Sequence, residues 1–166
     1  MAERMGRAER VNFEGWAEQP KVTQLLSQAD LLVLPSYDEG LPLAILEALA
    51  QGVAVVCTPV GEIPHVLTDG HNACFVQAGD EASIADGLAR VLRDPQLRQT
   101  LEHNGQALFR QQFSLGRFYE TIAAIHTRHF GIAGAPPAPR NVAAPSTEAR
   151  PWSTTPTPSR RARHSG

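Results

Sequence analysis

The chain has two cysteines among 166 residues, Cys57 and Cys74, and both lie in or beside apolar runs. That excludes a disulfide-stapled scaffold and points to free, buried thiols in a reducing compartment. No apolar run reaches the roughly 18 residues of a membrane-spanning helix. The opening segment, Met1 to Arg10, has no apolar centre and does not read as a secretory signal. The expected location is the cytoplasm, free or peripheral to a membrane. Six histidines are present but not at metal-ligand spacing. His126 and His129, three apart on a predicted helix, have no further ligand nearby, so neither metal nor cofactor is expected. There is no Ser-His-Asp framework, no P-loop and no dinucleotide glycine fingerprint.

Positive charge is scarce where the chain is apolar. Residues 1–130 carry 10 Lys+Arg against 16 Asp+Glu, net −6, whereas residues 131–166 carry five Arg and one Glu, net +4. The acidic body argues against a nucleic-acid partner, which would call for a basic face. The basic end also holds 7 of the 13 prolines, with many Ala, Ser and Thr, so it cannot bury enough apolar surface to offset its ordering entropy. The chain therefore divides into a domain over 1–130 and a tail over 131–166 expected to be disordered. The terminal arginines read as a solvated basic tail rather than an anion-binding element.

The informative stretch is 30–61, D-L-L-V-L-P-S-Y-D-E-G-L-P-L-A-I-L-E-A-L-A-Q-G-V-A-V-V-C-T-P-V-G. The run Leu31 to Pro35 predicts a fully buried strand, and the β-branched run Val53 to Cys57 predicts a second. Between them Pro42 to Gln51 is rich in Ala and Leu, with Pro42 suited to the first helical position and Gly52 to the left-handed residue past the end. Strand, crossover helix, parallel strand is the economical reading.

Glu47 does not belong in that helix on packing grounds. A helix apolar nearly all round is expected to be buried, and a buried carboxylate needs a partner. A second acid, Glu39, stands in the loop ahead of the helix. There the main-chain N–H groups of Gly40, Leu41, Leu43 and Ala44 are free to face an anion, while Pro42 has none to donate. Ligands of open parallel sheets bind at this end, outside the carboxyl ends of the strands.

In these residues the sequence resembles the donor-binding half of glycosyltransferase family 4, the glycosyl transferases group 1, which are retaining GT-B enzymes. The motif is the P-S, E-G-x-P and E-A-x-A-x-G pattern, with two glutamates separated by seven residues, followed by a strand. The resemblance implies a partial Rossmann-like parallel sheet and transfer of a hexosyl group from a nucleotide-diphospho-sugar to an acceptor hydroxyl. It gives Glu39 the catalytic, sugar-orienting role and Glu47 the ribose hydroxyls. It places Gly40, Leu41, Leu43, Ala44, Gly61 and Glu62 about the donor. No metal is implied, and the acceptor, be it glycan, lipid or small molecule, is not specified. An acid is usual in the family where His65 stands here.

The segment G-R-A-E-R-V-N-F-E-G-W resembles the part of the family domain that leads into its third strand, so 11–15 is expected to be a strand. Two earlier strands, an Arg and a Lys that pair with the diphosphate, and an acceptor-binding domain would precede it. The expectation is a truncated or mis-started enzyme whose isolated activity is doubtful. The alternative is a non-catalytic nucleotide-sugar-binding or assembly subunit completed by a second chain. An epimerase or phosphorylase on the same fold, or a generic flavodoxin-like domain, are the remaining readings.

Elsewhere, Lys21 to Ala29 predicts a crossover helix with Val22, Leu25, Leu26 and Ala29 inward. Pro59 to Leu67 predicts a Gly/Pro turn and one helical turn beside the ligand. Ala73 to Val76 predicts a fourth strand. Helices follow over Glu81–Arg93 (capped by Asp80; Ile84, Leu88, Val91, Leu92 inward) and Pro95–Gln112 (capped by Asp94; Leu97, Leu101, Leu108, Phe109 inward). The last runs from Leu115 to Phe130, capped by Ser114. Its stripe of Phe118, Ile122, Ile125 and His129 is one that the family docks on its other domain.

Overall fold

A computed structural model describes residues 10–131. The expectations for the first nine residues and for the tail beyond 131 lie outside the described residues. In chain order the elements are α1 (Gln19–Gln28), β1 (Leu31–Leu34), α2 (Leu43–Ala50), β2 (Ala54–Cys57), α3 (Ile63–Val66), β3 (Cys74–Phe75), α4 (Glu81–Arg93) and α5 (Pro95–Leu108). A π-helical turn, Phe109–Phe113, then leads into α6 (Leu115–Phe130).

The three strands form one parallel sheet in the order β1-β2-β3. Leu31 lies opposite Ala54 and Leu34 opposite Cys57, and on the other side Val56 lies opposite Cys74. The α/β class follows the reading of the sequence. β2 is central and wholly buried, and its side chains alternate between two cores. Val55 and Cys57 face Leu26, Ile45, Leu49 and Ile63, while Ala54 and Val56 face Cys74, Val91 and Leu101. An unbroken apolar run is what a strand covered on both faces requires.

Local chemistry sets the helix ends. The Asp80 carboxylate accepts from the N–H groups of Ala82 and Ser83, Asp94 from Gln96 and Leu97, and the Ser114 hydroxyl from Arg117. At the end of α2, Gly52 has φ +68°, its N–H donates to Leu49 O, and Val53 N–H donates back to Ala48 O at 2.9 Å. That is the paired-bond stop that the Gly after this helix predicts.

Several expectations are corrected. Segment 11–15 is not a strand: it is irregular, with Phe13 87% and Trp16 95% exposed. Alternating side chains make a strand only where a ladder and a covered face are on offer, and among the described residues this segment meets neither. Its local order comes from Asn12 donating to Glu14 and from a Glu14–Lys21 ion pair. β1 is not fully buried, because it is an edge strand and Val33 is 38% exposed. It stops at Leu34, since Pro35 has no N–H for a ladder.

Pro42 is the N-cap of α2 rather than its first helical residue, at an extended ψ of 131°. On α4, Leu92 is turned outward. α5 ends at Leu108 rather than 112, and the widened turn after it keeps Leu108 and Phe109 against the core beneath α2. α6 has no buried residue at all; Leu115, Phe118, Tyr119, Ile122, Ile125 and Phe130 are all exposed.

Candidate functional site

Three loops leave the carboxyl ends of the three parallel strands, and those after β2 and β3 both meet the one after β1, which carries Glu39. The first contact comes from Thr58, immediately after β2. It is fully buried, and its hydroxyl donates to the main-chain carbonyl of Ser36 at 2.6 Å. Ser36 in turn donates its hydroxyl to Glu39 Oε1 at 2.7 Å. The second contact comes from the loop ahead of α3, where Glu62 N–H donates to Gly40 O at 3.2 Å. Beside it Gly61 has φ +56°, and a Cβ there would stand 1.7 Å from Glu39 O. Only glycine allows both that conformation and that approach. The third comes from the β3–α4 loop, where the Tyr37 ring rests on Gly79, 3.0 Å from where a Cβ would be.

The predicted residues are thus brought together in part. Glu39, Gly40, Gly61 and Glu62 share one joint between two loops. Leu41 is half-buried and Gly40 exposed. Leu43 is 73% exposed and Ala44 half-buried at the start of α2. The first bonded N–H groups of that helix belong to Ile45 and Leu46, which both donate to Pro42 O. The N–H groups of Leu43 and Ala44 precede them and have no carbonyl one turn back. The helix dipole adds partial positive charge at the same point.

Glu47 sits apart from this joint. Helix α2 is not apolar-buried all round: its inner face is Ile45, Ala48 and Leu49, and Glu47 lies on a half-open flank. The expected partner of a half-buried carboxylate is present. Gln19 Nε2, at the start of α1, donates to Glu47 Oε1 at 2.8 Å. One oxygen of each acid is therefore held by a neighbour, Ser36 for Glu39 and Gln19 for Glu47, with the second oxygen available to a ligand.

Sequence reasoning missed Ser36, Thr58, Tyr37 and Gln19. The position of the first three was available, since each follows the carboxyl end of a predicted strand or its loop. Gln19 carried no signal, because only packing of α1 on α2 brings it to Glu47.

Both cysteines are free, buried thiols. Burial, reinforced by the nearby Cys74 and Asp69, pushes the Cys57 thiol up to about 12. Burial also raises Cys74. Both are therefore protonated at neutral pH. A groove of about 440 Å³ runs between β3 and α4, lined by Cys74, Phe75, Asp80, Ser83, Asp86 and Arg90. None of the predicted residues lines it, so concavity and the sequence motif point to different places; the motif carries more chemistry. Among the described residues no three His, Cys, Asp or Glu side chains are grouped to hold a metal ion, and no helix is long and apolar enough to cross a membrane.

Residues 1–108 match the family described as Glycosyl transferases group 1. N-acetyl-alpha-D-glucosaminyl L-malate synthase of Bacillus anthracis is 34% identical over 117 residues, covering 69% of this chain and 30% of that protein. Among solved structures, the C-terminal domain of a glycosyl transferase group 1 family protein from Francisella tularensis superposes with a TM-score of 0.63. It is 28% identical, over 69% of this chain and 59% of that one. An Anabaena protein solved in complex with UDP-glucose superposes with a TM-score of 0.69, at 26% identity over 76% of this chain and 35% of that one. The chain spans between about a fifth and a third of the length of the curated relatives it matches.

Proposed function

Because the chain belongs to the glycosyl transferases group 1, we propose that residues 1–130 act as the donor-binding part of a retaining GT-B glycosyltransferase. The reaction would move a hexosyl group from a nucleotide-diphospho-sugar to an acceptor hydroxyl, with the configuration at the anomeric carbon kept. The acceptor-binding part would come from a further domain or a second chain. The observation that carries this reading is the joint between the Glu39 loop and the Gly61 loop at the carboxyl edge of a parallel sheet, directly before the start of α2.

Each proposed role follows from what its atoms can do. The unpaired N–H groups of Leu43 and Ala44, with those of Gly40 and Leu41, would meet phosphate and sugar oxygens, supported by the dipole of α2. Glu39 would accept from hydroxyls of the donor sugar and orient it, contributing to catalysis by placement. Glu47 would accept from the ribose hydroxyls through the oxygen that Gln19 leaves free. Gly61 and Glu62 would close the pocket from the β2 side. The group that leaves is a diphosphate, so stabilising its charge is the largest single demand on the site. The same half-site also supports the narrower reading of a binding subunit that needs its partner for turnover.

The experiment is a titration of the chain with nucleotide sugars, followed by supply of an acceptor-binding domain. Binding of a sugar nucleotide, and an α-linked product from an α-linked donor when that part is present, support the transferase. Binding with no turnover under any such supplementation supports the subunit. Failure to bind any sugar nucleotide ends both.

A further inference from the structure

Thr58 has bonds that reach beyond the strand it follows. Its N–H donates to Leu34 O at 3.3 Å, carrying the β1–β2 ladder one step past the strands. Its carbonyl accepts from Val60 N–H at 2.9 Å, which turns the chain toward Gly61. Its hydroxyl, on a fully buried residue, crosses to Ser36 O at 2.6 Å, 22 positions earlier in the chain. A buried hydroxyl is costly to leave without a partner, so this bond fixes where the chain runs after β1. Ser36 then donates to one oxygen of Glu39 at 2.7 Å.

The result is a relay from the buried sheet to an acid at its edge. A carboxylate has two oxygens and about four lone-pair sites. A short bond to a carboxylate oxygen is among the stronger hydrogen bonds, and on Oε1 it restricts the plane of the carboxylate. By contrast, the N–H groups at the start of α2 are placed by the helix and by Pro42, not by the Ser36 hydroxyl.

We propose that Thr58 and Ser36 are positioning residues that hold the Glu39 carboxylate for a hydroxyl of the donor sugar, and so set affinity for the sugar rather than for the nucleoside diphosphate. The proposal rests on the donor-site reading given above. It adds what aims the acid: the main-chain N–H groups meet the phosphates, and the Thr58–Ser36 relay holds Glu39 for the sugar. A side chain that only supported the fold would affect both alike.

The test uses the full chain, titrated with UDP-glucose, UDP-N-acetylglucosamine and GDP-mannose, each beside its own nucleoside diphosphate, and takes forward the tightest sugar nucleotide. Thr58→Val keeps the volume and removes the hydroxyl; Ser36→Ala acts on the same carboxylate from a half-buried loop and serves if the first variant fails to fold. Each is expected to weaken the sugar nucleotide about tenfold while changing the diphosphate less than about twofold. Thr58→Ser and Ser36→Thr, which keep a hydroxyl, are expected to restore binding. Equal loss of both ligands, or loss of neither, overturns the positioning role and leaves the donor site standing. Failure of the unmodified chain to bind any of the ligands overturns the donor-site reading itself, before any variant is made.

Discussion

The main-chain carbonyl of Glu39 occupies the space that a side chain on Gly61 would need: a Cβ at Gly61 would lie 1.7 Å from that oxygen. Two loops that follow different strands are therefore packed backbone against backbone. The bond from Glu62 N–H to Gly40 O ties them one residue further on. Gly61→Ala should force the loops apart and strain a residue held at φ +56°, costing about 3 kcal/mol of stability. Urea unfolding checks the cost. Nucleotide-sugar binding should be lost together with it, and an alanine variant of unchanged stability and affinity would refute the joint.

Glu47 should separate binding from folding. It is half-buried on the flank of α2, and its partner is a neutral amide, so Glu47→Gln should change stability by less than about 1 kcal/mol. Loss of a charged acceptor for ribose hydroxyls should weaken sugar-nucleotide binding ~10- to 100-fold, the weight of a hydrogen bond to a charged group. Unchanged affinity by calorimetry would remove Glu47 from the site.

Cys57 gives the fold an alkaline weakness. Its thiol is raised from 9.0 to about 12 in the folded chain. Below pH 9 both folded and unfolded forms keep the proton, and the stabilising preference for the neutral thiol is fully present. Between pH 9 and about 12 the unfolded chain gives the proton up first, so stability falls as pH rises, by about 1.4 kcal/mol per unit from this residue. Denaturant midpoints at pH 8, 9.5 and 10.5 should decline in the unmodified chain and decline less in Cys57→Ala. Identical slopes would show that folding leaves the ionisation of this thiol unchanged.

The outward face of α6 should govern solubility rather than folding. Ile122 and Ile125 are 46% and 49% exposed, and nothing on that helix is buried. Ile122→Glu with Ile125→Glu should leave the unfolding midpoint unchanged to within about 0.5 kcal/mol and reduce light scattering at high concentration. A clear drop in the midpoint would mean that these side chains are part of the folded core.

Legibility in the sequence tracked how local the cause was. Asp80, Asp94 and Ser114 were readable as caps because a side chain two or three residues away supplies the bond. Gly52 was readable because one residue needs positive φ. Glu47 stood out as an acid in an otherwise apolar run, and Glu39 as an acid in the loop just ahead of it. The segment at 11–15 misled, because alternation records a capacity to be a strand and not the presence of a neighbouring strand. Thr58 was visible only as the residue closing an apolar run.

By itself the sequence determined the α/β class, the caps at Asp80, Asp94 and Ser114, the Gly52 stop, the strand at Ala54–Cys57 and the pair of acids about α2. These follow from periodicity, capping and side-chain chemistry, which act over a few residues. Only the tertiary structure decided that β1 is an edge, that Thr58 reaches Ser36, that Gln19 meets Glu47 and that Gly61 lies against Glu39. Each of those joins residues between 20 and 30 positions apart. Their meeting depends on how the strands register and how the helices pack across them, which no short stretch of chain encodes alone.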